Sequence, residues 1–146
     1  MGMREPILPS VIRAQLLEDH ECIRALLAQI EIAAEKLEAG LPFAPARFAD
    51  ALGRLRRALD AHNTVEERYL FGLLAQVDAW GPIRRDQMLN EHVEEHLDLL
   101  DALELADARS ARALVARLRK HMAHEEATFL AATVLRDDTV SVAPSS

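Results

Sequence analysis

Three short stretches of this chain set two donor groups, an imidazole with a carboxylate or with a second imidazole, at one-turn spacing. His62-Asn-Thr-Val-Glu66-Glu67 and His121-Met-Ala-His-Glu125-Glu126 share the pattern His-x-x-x-Glu-Glu, and His92-Val-Glu-Glu-His96 sets two histidines at the same interval. His20 stands alone upstream. In a helix, residues four apart lie one turn apart on one face, so each stretch aims two donor groups the same way. Imidazole nitrogens with a few carboxylate oxygens suit Fe, Zn or Mn. Other metal and catalytic patterns are absent from the sequence. There is no His-Glu-x-x-His motif, and no Glu-x-x-His pair of the kind that carboxylate-rich bundles use.

The elements that must position these groups are helices. From Val11 to about Ala39, Leu16, Ile23, Leu27, Ile30, Ala34 and Leu37 recur at helical spacing, with His20 inside the stripe. Ser10 is the expected N-cap, and Gly40 with Pro42 and Pro45 ends the segment. A second helix is expected from about Pro45 to Val77, with Phe48, Leu52, Leu55, Leu59, His62, Glu66, Tyr69 or Leu70, and Leu73 inward. A third runs from about Pro82 to Leu105, with Leu89, His92, His96, Leu99 and Leu103 inward. A fourth, capped by Asp107, runs to about Arg136 through Leu114, Leu118, His121, Glu125, Phe129 and Ala132. Nothing reads as strand. The expected fold is all-α, an up-down-up-down antiparallel four-helix bundle over residues 11–136. An extended leader at 1–10 and a flexible tail at 137–146 flank it.

Helix geometry then tests whether the polar groups meet. At about 1.5 Å per residue, His20 and His92 lie roughly 15 Å into their helices and His96 roughly 21 Å. Counted back from the helix ends at the same side of the bundle, Glu66, His62, Glu125 and His121 lie roughly 17 to 23 Å deep. All seven fall in one slab of the interior. Seven buried polar groups in one layer need compensation, and bound cations supply it best. The predicted ligands are therefore His20, His62, Glu66, His92, His96, His121 and Glu125, around two ions. Glu126 is the alternative to Glu125, which is preferred because it repeats the His62–Glu66 spacing. Glu67 and Glu126 project about 100° from their neighbours, as supporting or solvent-facing groups. His124 is placed at the edge of the site.

Composition narrows the function classes. The 146 residues carry a formal charge of −7 and a pI near 5.3, which leaves no footprint for nucleic acid. The basic run Arg54-Leu-Arg56-Arg57 reads as a solvated helix face. The single cysteine, Cys22, excludes an internal disulfide, points to a reducing compartment and reads as a packing residue. No apolar run approaches the ~18 residues of a membrane span, and the first residues lack the apolar centre of a signal peptide. A cytoplasmic protein without membrane contact is expected. The sequence is compatible with a homo-oligomer.

The ordered set His20, His62-x-x-x-Glu66, His92-x-x-x-His96 and His121-x-x-x-Glu125 resembles the hemerythrin family, the HHE cation-binding domain, over about residues 11–136. Glu18-Asp19-His20, Glu66-Glu67 before Leu70-Phe71, and Glu91-His92 fit it too. The resemblance implies a non-haem di-iron centre of the oxo- or hydroxo-bridged Fe-O-Fe type, with Zn or Mn as other occupants. By that pattern Glu66 and Glu125 bridge the irons; His92, His96 and His121 complete one, while His20 and His62 bind the other. The second iron keeps an open position for O2, NO, peroxide or azide. Oxygen carriers of the family set the last carboxylate five residues after its histidine, which corresponds to Glu126. The function implied is a binding protein that binds, senses or scavenges O2 or NO. The alternatives are an enzyme that turns over peroxide or NO or donates iron for repair of iron centres, and a helical interaction module with a vestigial site.

Overall fold

The computed structural model describes residues 8–77, 79–105 and 107–137. Most of the expected leader and tail thus lies outside the described residues. Helix α1 spans Pro9–Glu38, α2 Ala44–Val65, α3 Phe71–Val77, α4 Gly81–Leu105 and α5 Ala108–Ala127. A π turn, Glu66–Leu70, joins α2 to α3 in one rod. The molecule is therefore four helical rods in a bundle, with no strand among the described residues. No described helix is long and apolar enough to cross a membrane.

Local chemistry sets the helix ends. Proline at the first position starts α1, where its missing N–H costs nothing. Ser10 is not the cap; it lies inside the helix, and its N–H and hydroxyl both donate to the Asp137 carboxylate at 2.9 and 2.7 Å. Asp137 thereby caps α1 from the far end of the chain and is docked. Gly40, at φ 68°, closes α1: its N–H donates to the Leu37 carbonyl and that of Leu41 to the Lys36 carbonyl. This is the paired bonding that a left-handed residue after a helix allows. Asp107 caps α5 as expected, accepting from the Ser110 N–H at 2.7 Å. Gly81 starts α4 tight against α3; a Cβ there would sit 1.5 Å from the Leu74 carbonyl oxygen.

Two apolar cores fill the bundle, and the polar layer lies between them. One holds Ile23, Leu27, Ile30, Phe48, Leu52, Leu55, Leu114 and Leu118. The other holds Ile12, Leu16, Leu70, Leu74, Met88, Phe129 and Leu130. Surface ion pairs register the rods: Glu38–Arg112, Glu31–Arg119 and Arg24–Glu126 join α1 to α5 with one number rising as the other falls. Glu94 and Asp98 to Arg117, and Glu91 and Glu95 to His121, do the same for α4 and α5. Helix α5 therefore runs antiparallel to both neighbours.

Three helical details differ from the sequence reading. The second rod is not a continuous α-helix. Its π turn inserts one extra residue, so Leu70 and Leu74 are fully buried and Leu73 only partly so. Helix α5 stops at Ala127, not near Arg136; Leu130 N–H turns back to the Glu125 carbonyl at 2.8 Å and Arg13 grips the Leu130 carbonyl at 2.6 Å. That turn lets Phe129, Leu130 and Leu135 close the end of the bundle, with Ala132 left exposed. Cys22 is exposed rather than packed.

Candidate metal centre

Each rod brings its donors to the polar layer by ordinary helical register. His20 sits between Leu16 and Ile23 on the buried stripe of α1 and is fully buried. His62 follows Leu59 on α2, and Glu66 opens the π turn. His121 and Glu125 lie on the inner face of α5, either side of Met122. His92 lies on α4, with the Phe71 ring stacked on it at 5.6 Å.

The two glutamates divide their oxygens. Glu66 Oε1 lies 2.7 Å from His62 Nε2, and Glu66 Oε2 lies 2.6 Å from His92 Nε2. Glu125 Oε1 lies 3.3 Å from His20 Nε2, and Glu125 Oε2 lies 2.8 Å from His121 Nε2. Each of these four imidazoles thus presents Nε2 inward, and both carboxylates reach from one imidazole pair to the other. His20, His62, Glu66 and Glu125 place ligand atoms within 4.8 Å of one another, and so do His92, His121 and Glu125.

The opposite ring nitrogens face carboxylates. His20 Nδ1 is 3.2 Å from Glu126, His62 Nδ1 3.3 Å from Asp19, and His121 Nδ1 2.8 Å from Glu95 and 3.2 Å from Glu91. His92 is held most loosely, with Glu67 at 3.6 Å and no hydrogen bond at Nδ1. A carboxylate behind an imidazole keeps the proton on the outer nitrogen and leaves the inner lone pair for a metal. Arg24 anchors Glu126 in turn, donating to Oε1 at 2.9 Å.

Electrostatics in the absence of cations follow from this crowding. Burial pushes the Glu66 carboxyl upward, but contacts with Glu125, His62 and His92 outweigh it and hold it well below the carboxylate range. Burial disfavours the charged form of His62, yet Glu66 raises it to about 9. Against the same burial, Glu125 and Glu95 raise His121 to about 11. His92 is also raised, by Glu66. Donors so arranged fit a metal. The buried atoms His20 Nε2, Glu66 Oε1 and Glu125 Oε1 have no hydrogen-bond partner. The 2.7 Å approach of Glu66 Oε1 to His62 is too poorly aligned to be a hydrogen bond. Orphaned buried acceptors cost about 1–3 kcal/mol each, which a shared cation removes.

A family model, the hemerythrin HHE cation-binding domain, matches residues 11–133. The chain belongs to the hemerythrin HHE family. No curated protein and no solved structure matches it. The HHE match spans all six histidines and the glutamates Glu66, Glu95 and Glu125, so the whole layer lies inside the family domain.

Of the seven predicted ligands of this HHE domain, the structure brings six together and leaves one out. His96 is exposed. The inward residues of α4 are Met88, His92, Glu95, Leu99 and Ala102. At about 100° per residue, these centre some 40° to one side of His92, whereas His96 falls about 40° to the other. Leu99 and Ala102 join the apolar core, and that rotation turns Glu95 inward and His96 out. The same rotation buries Met88 and leaves Leu89 39% exposed. Of the two glutamates, Glu125 points into the layer between His20 and His121, and Glu126 stands behind His20. His124 is exposed, edge-on to Phe129.

Sequence reading missed Asp19, Glu91 and Glu95 as supports. Their signal was present, since each is one or three residues from a histidine. But a carboxylate beside a histidine in sequence backs a different histidine in space: Asp19, next to His20, serves His62. Three grooves reach the layer: one between α2 and α4 at His92, one between α4 and α5 at His121, and one between α1 and α2 at His62, where Cys22 and Asp19 also lie. A further groove of about 420 Å³, lined by Ile32, Lys36, Arg47 and Arg54, touches none of these residues.

Proposed function

We propose that this protein holds two iron ions and uses a position left open on them to bind O2 or NO, as a sensor, carrier or scavenger, with peroxide as a third small ligand. One observation carries the reading: Glu66 and Glu125 each present one oxygen to either imidazole pair. A carboxylate that faces two ways is the natural bridge between two ions, and two such carboxylates define a dimetal site. His20 and His62 would complete one ion, His92 and His121 the other.

Iron, when bound, supplies the electrons that O2, NO and peroxide accept. The chain's own part is to bind, orient and exclude water. Asp19, Glu126 and Glu95 aim the imidazoles. Leu16, Leu70 and Ile23, all buried, wall the layer on both sides. With His96 outside, each ion would draw two nitrogens and a share of two carboxylates. Octahedral ions would then keep positions for exchangeable ligands on both sides.

Elemental analysis of protein purified without chelator tests the number and kind of ion; two iron ions per chain are expected. Fewer than two metal ions in protein reloaded anaerobically overturns the dimetal reading. Reduction followed by air or NO, watched by visible absorption, separates the roles. A persistent oxygenated band means carriage, fast oxidation means sensing, and repeated loss of peroxide or NO means an enzyme.

A further inference from the structure

Asp19 stands behind His62, Glu67 behind His92 and Glu126 behind His20, one carboxylate to each imidazole. His121 has two. Glu95 Oε1 and Glu91 Oε2 both face its Nδ1, at 2.8 and 3.2 Å. A ring nitrogen carries at most one hydrogen, so one of these oxygens has nothing to accept. Both oxygens are buried without a hydrogen-bond partner, and Glu95 is only 5% exposed. A surplus buried acceptor is costly unless something positive visits it.

These two carboxylates open onto the groove between α4 and α5, about 320 Å³, whose wall also carries Glu94, Lys120, His124 and Arg117, the last committed to Glu94 and Asp98. Ions bound by the centre need such a path, because His20, Glu66 and Glu125 are fully buried. The other faces are less suited. His20 lines none of the three grooves, and behind it stands Arg24, committed to Glu126 and Glu21. The grooves at His62 and His92 each end on an imidazole with a single supporting carboxylate.

We propose that the α4–α5 groove is the cation entry site, where Glu91 and Glu95 take a divalent first-row ion from solvent and pass it to the His92–His121 side of the centre. The inference rests on the metal-binding reading above. Carboxylate oxygens beside an imidazole suit a partly hydrated divalent ion, and with Arg117 already paired to Glu94, Glu91 and Glu95 outweigh Lys120 and raise its local concentration. Glu95 lies deepest and Glu91, about one-third exposed, faces the solvent end.

The test is the rate at which full-length metal-free protein takes up Co2+ in stopped flow at low ionic strength, read by visible absorption. Glu91→Gln is expected to load roughly 3- to 10-fold more slowly. Lys120→Gln, which removes a positive charge from the groove wall and no donor of the centre, is expected to load faster by a similar factor and to reach the wild-type end point. Added salt should shrink both differences. Variants that both load at the wild-type rate, or shift it in the same direction, overturn the entry site while leaving the metal reading intact. Wild-type protein that takes up no Co2+ overturns both.

Discussion

The His20–His62 half of the centre and the His92–His121 half are built from the same donor types but are not equally finished. The first two rings stand 4.9 Å apart, and their half gathers four residues' ligand atoms within 4.8 Å. The second two stand 6.4 Å apart, and their half gathers three. Helices α1 and α2 share a deep apolar seam of Ile23, Leu27, Ile30, Phe48, Leu52 and Leu55. Helix α4 instead leaves Leu89, Val93 and Leu97 in solvent and has a groove on either side. A donor set preassembled by packing binds with less ordering cost than one that must tighten on loading. The first half should therefore hold its ion more firmly, and the second should be where ions exchange.

The shared carboxylates set the largest effect. Glu125 belongs to both donor groups, so Glu125→Ala should lose both ions together, by elemental analysis, whichever half is stronger. Chelation of the wild-type protein should likewise remove the compensation that the buried layer needs. We expect the melting temperature to fall by about 10 °C, the scale of several kcal/mol in a domain of this size. An unchanged melt after chelation would mean that the layer is stable without ions, and the contrast between halves would lose its meaning.

The next largest effect distinguishes the halves directly. His121→Ala should leave about one ion per chain, held by His20, His62 and the two glutamates. His20→Ala should do more damage, because it empties a fully buried position and leaves Glu126 and Arg24 without their inner partner. We expect about 2–4 kcal/mol of stability to be lost there, measured by denaturant unfolding of metal-free protein. Equal ion loss in the two variants would contradict the unequal halves.

Protonation gives a subtler handle. In metal-free protein His62 and His121 have folded pKa values raised to about 9 and about 11 above the ordinary 6.5. Raised values stabilise the fold fully below pH about 6.5, and the benefit fades as pH climbs through 9 and then 11. Glu66, held below its ordinary 4.5, contributes above that value and is lost in acid. Metal binding runs the other way, since neutral imidazoles are needed and protons must leave. The melting temperatures of loaded and metal-free protein should thus diverge between about pH 6 and about pH 9, checked by calorimetry at fixed metal concentration. If the gap closes as pH rises, His62 and His121 do not ligate.

Much of this site could be read from spacing because its donors obey simple helical register. His62 and Glu66, like His121 and Glu125, are one turn apart on rods whose apolar stripes continue through them, so their direction followed from their neighbours. The slab argument worked for the same reason: rise per residue is nearly constant. What spacing could not supply was rotation about a helix axis. Helix α4 carries apolar residues on nearly every face, Met88 and Leu89, Leu99 and Leu100 side by side, so its stripe is ambiguous. Only packing against α5 settles it, in favour of Glu95. The π turn at Glu66–Leu70 was equally invisible, because one inserted residue changes no residue type. The end of α5 depended on a contact with Arg13, more than a hundred positions away.

His96 offers the smallest expected effect and the sharpest check on that rotation. An imidazole exposed at the edge of the α2–α4 groove can be cut back with a change of about 0.5 kcal/mol or less. His96→Ala should therefore keep the wild-type metal content and visible spectrum, whereas His92→Ala, three residues from Glu95 on the inner face, should not. The pair matters more than either variant alone. If both lose the ion of their half, α4 sits about 60° from the rotation described, His96 supplies a third nitrogen, and that half becomes the better-ligated one. If only His92→Ala does, the second half keeps two nitrogens and the more exchangeable ion, as its looser packing implies.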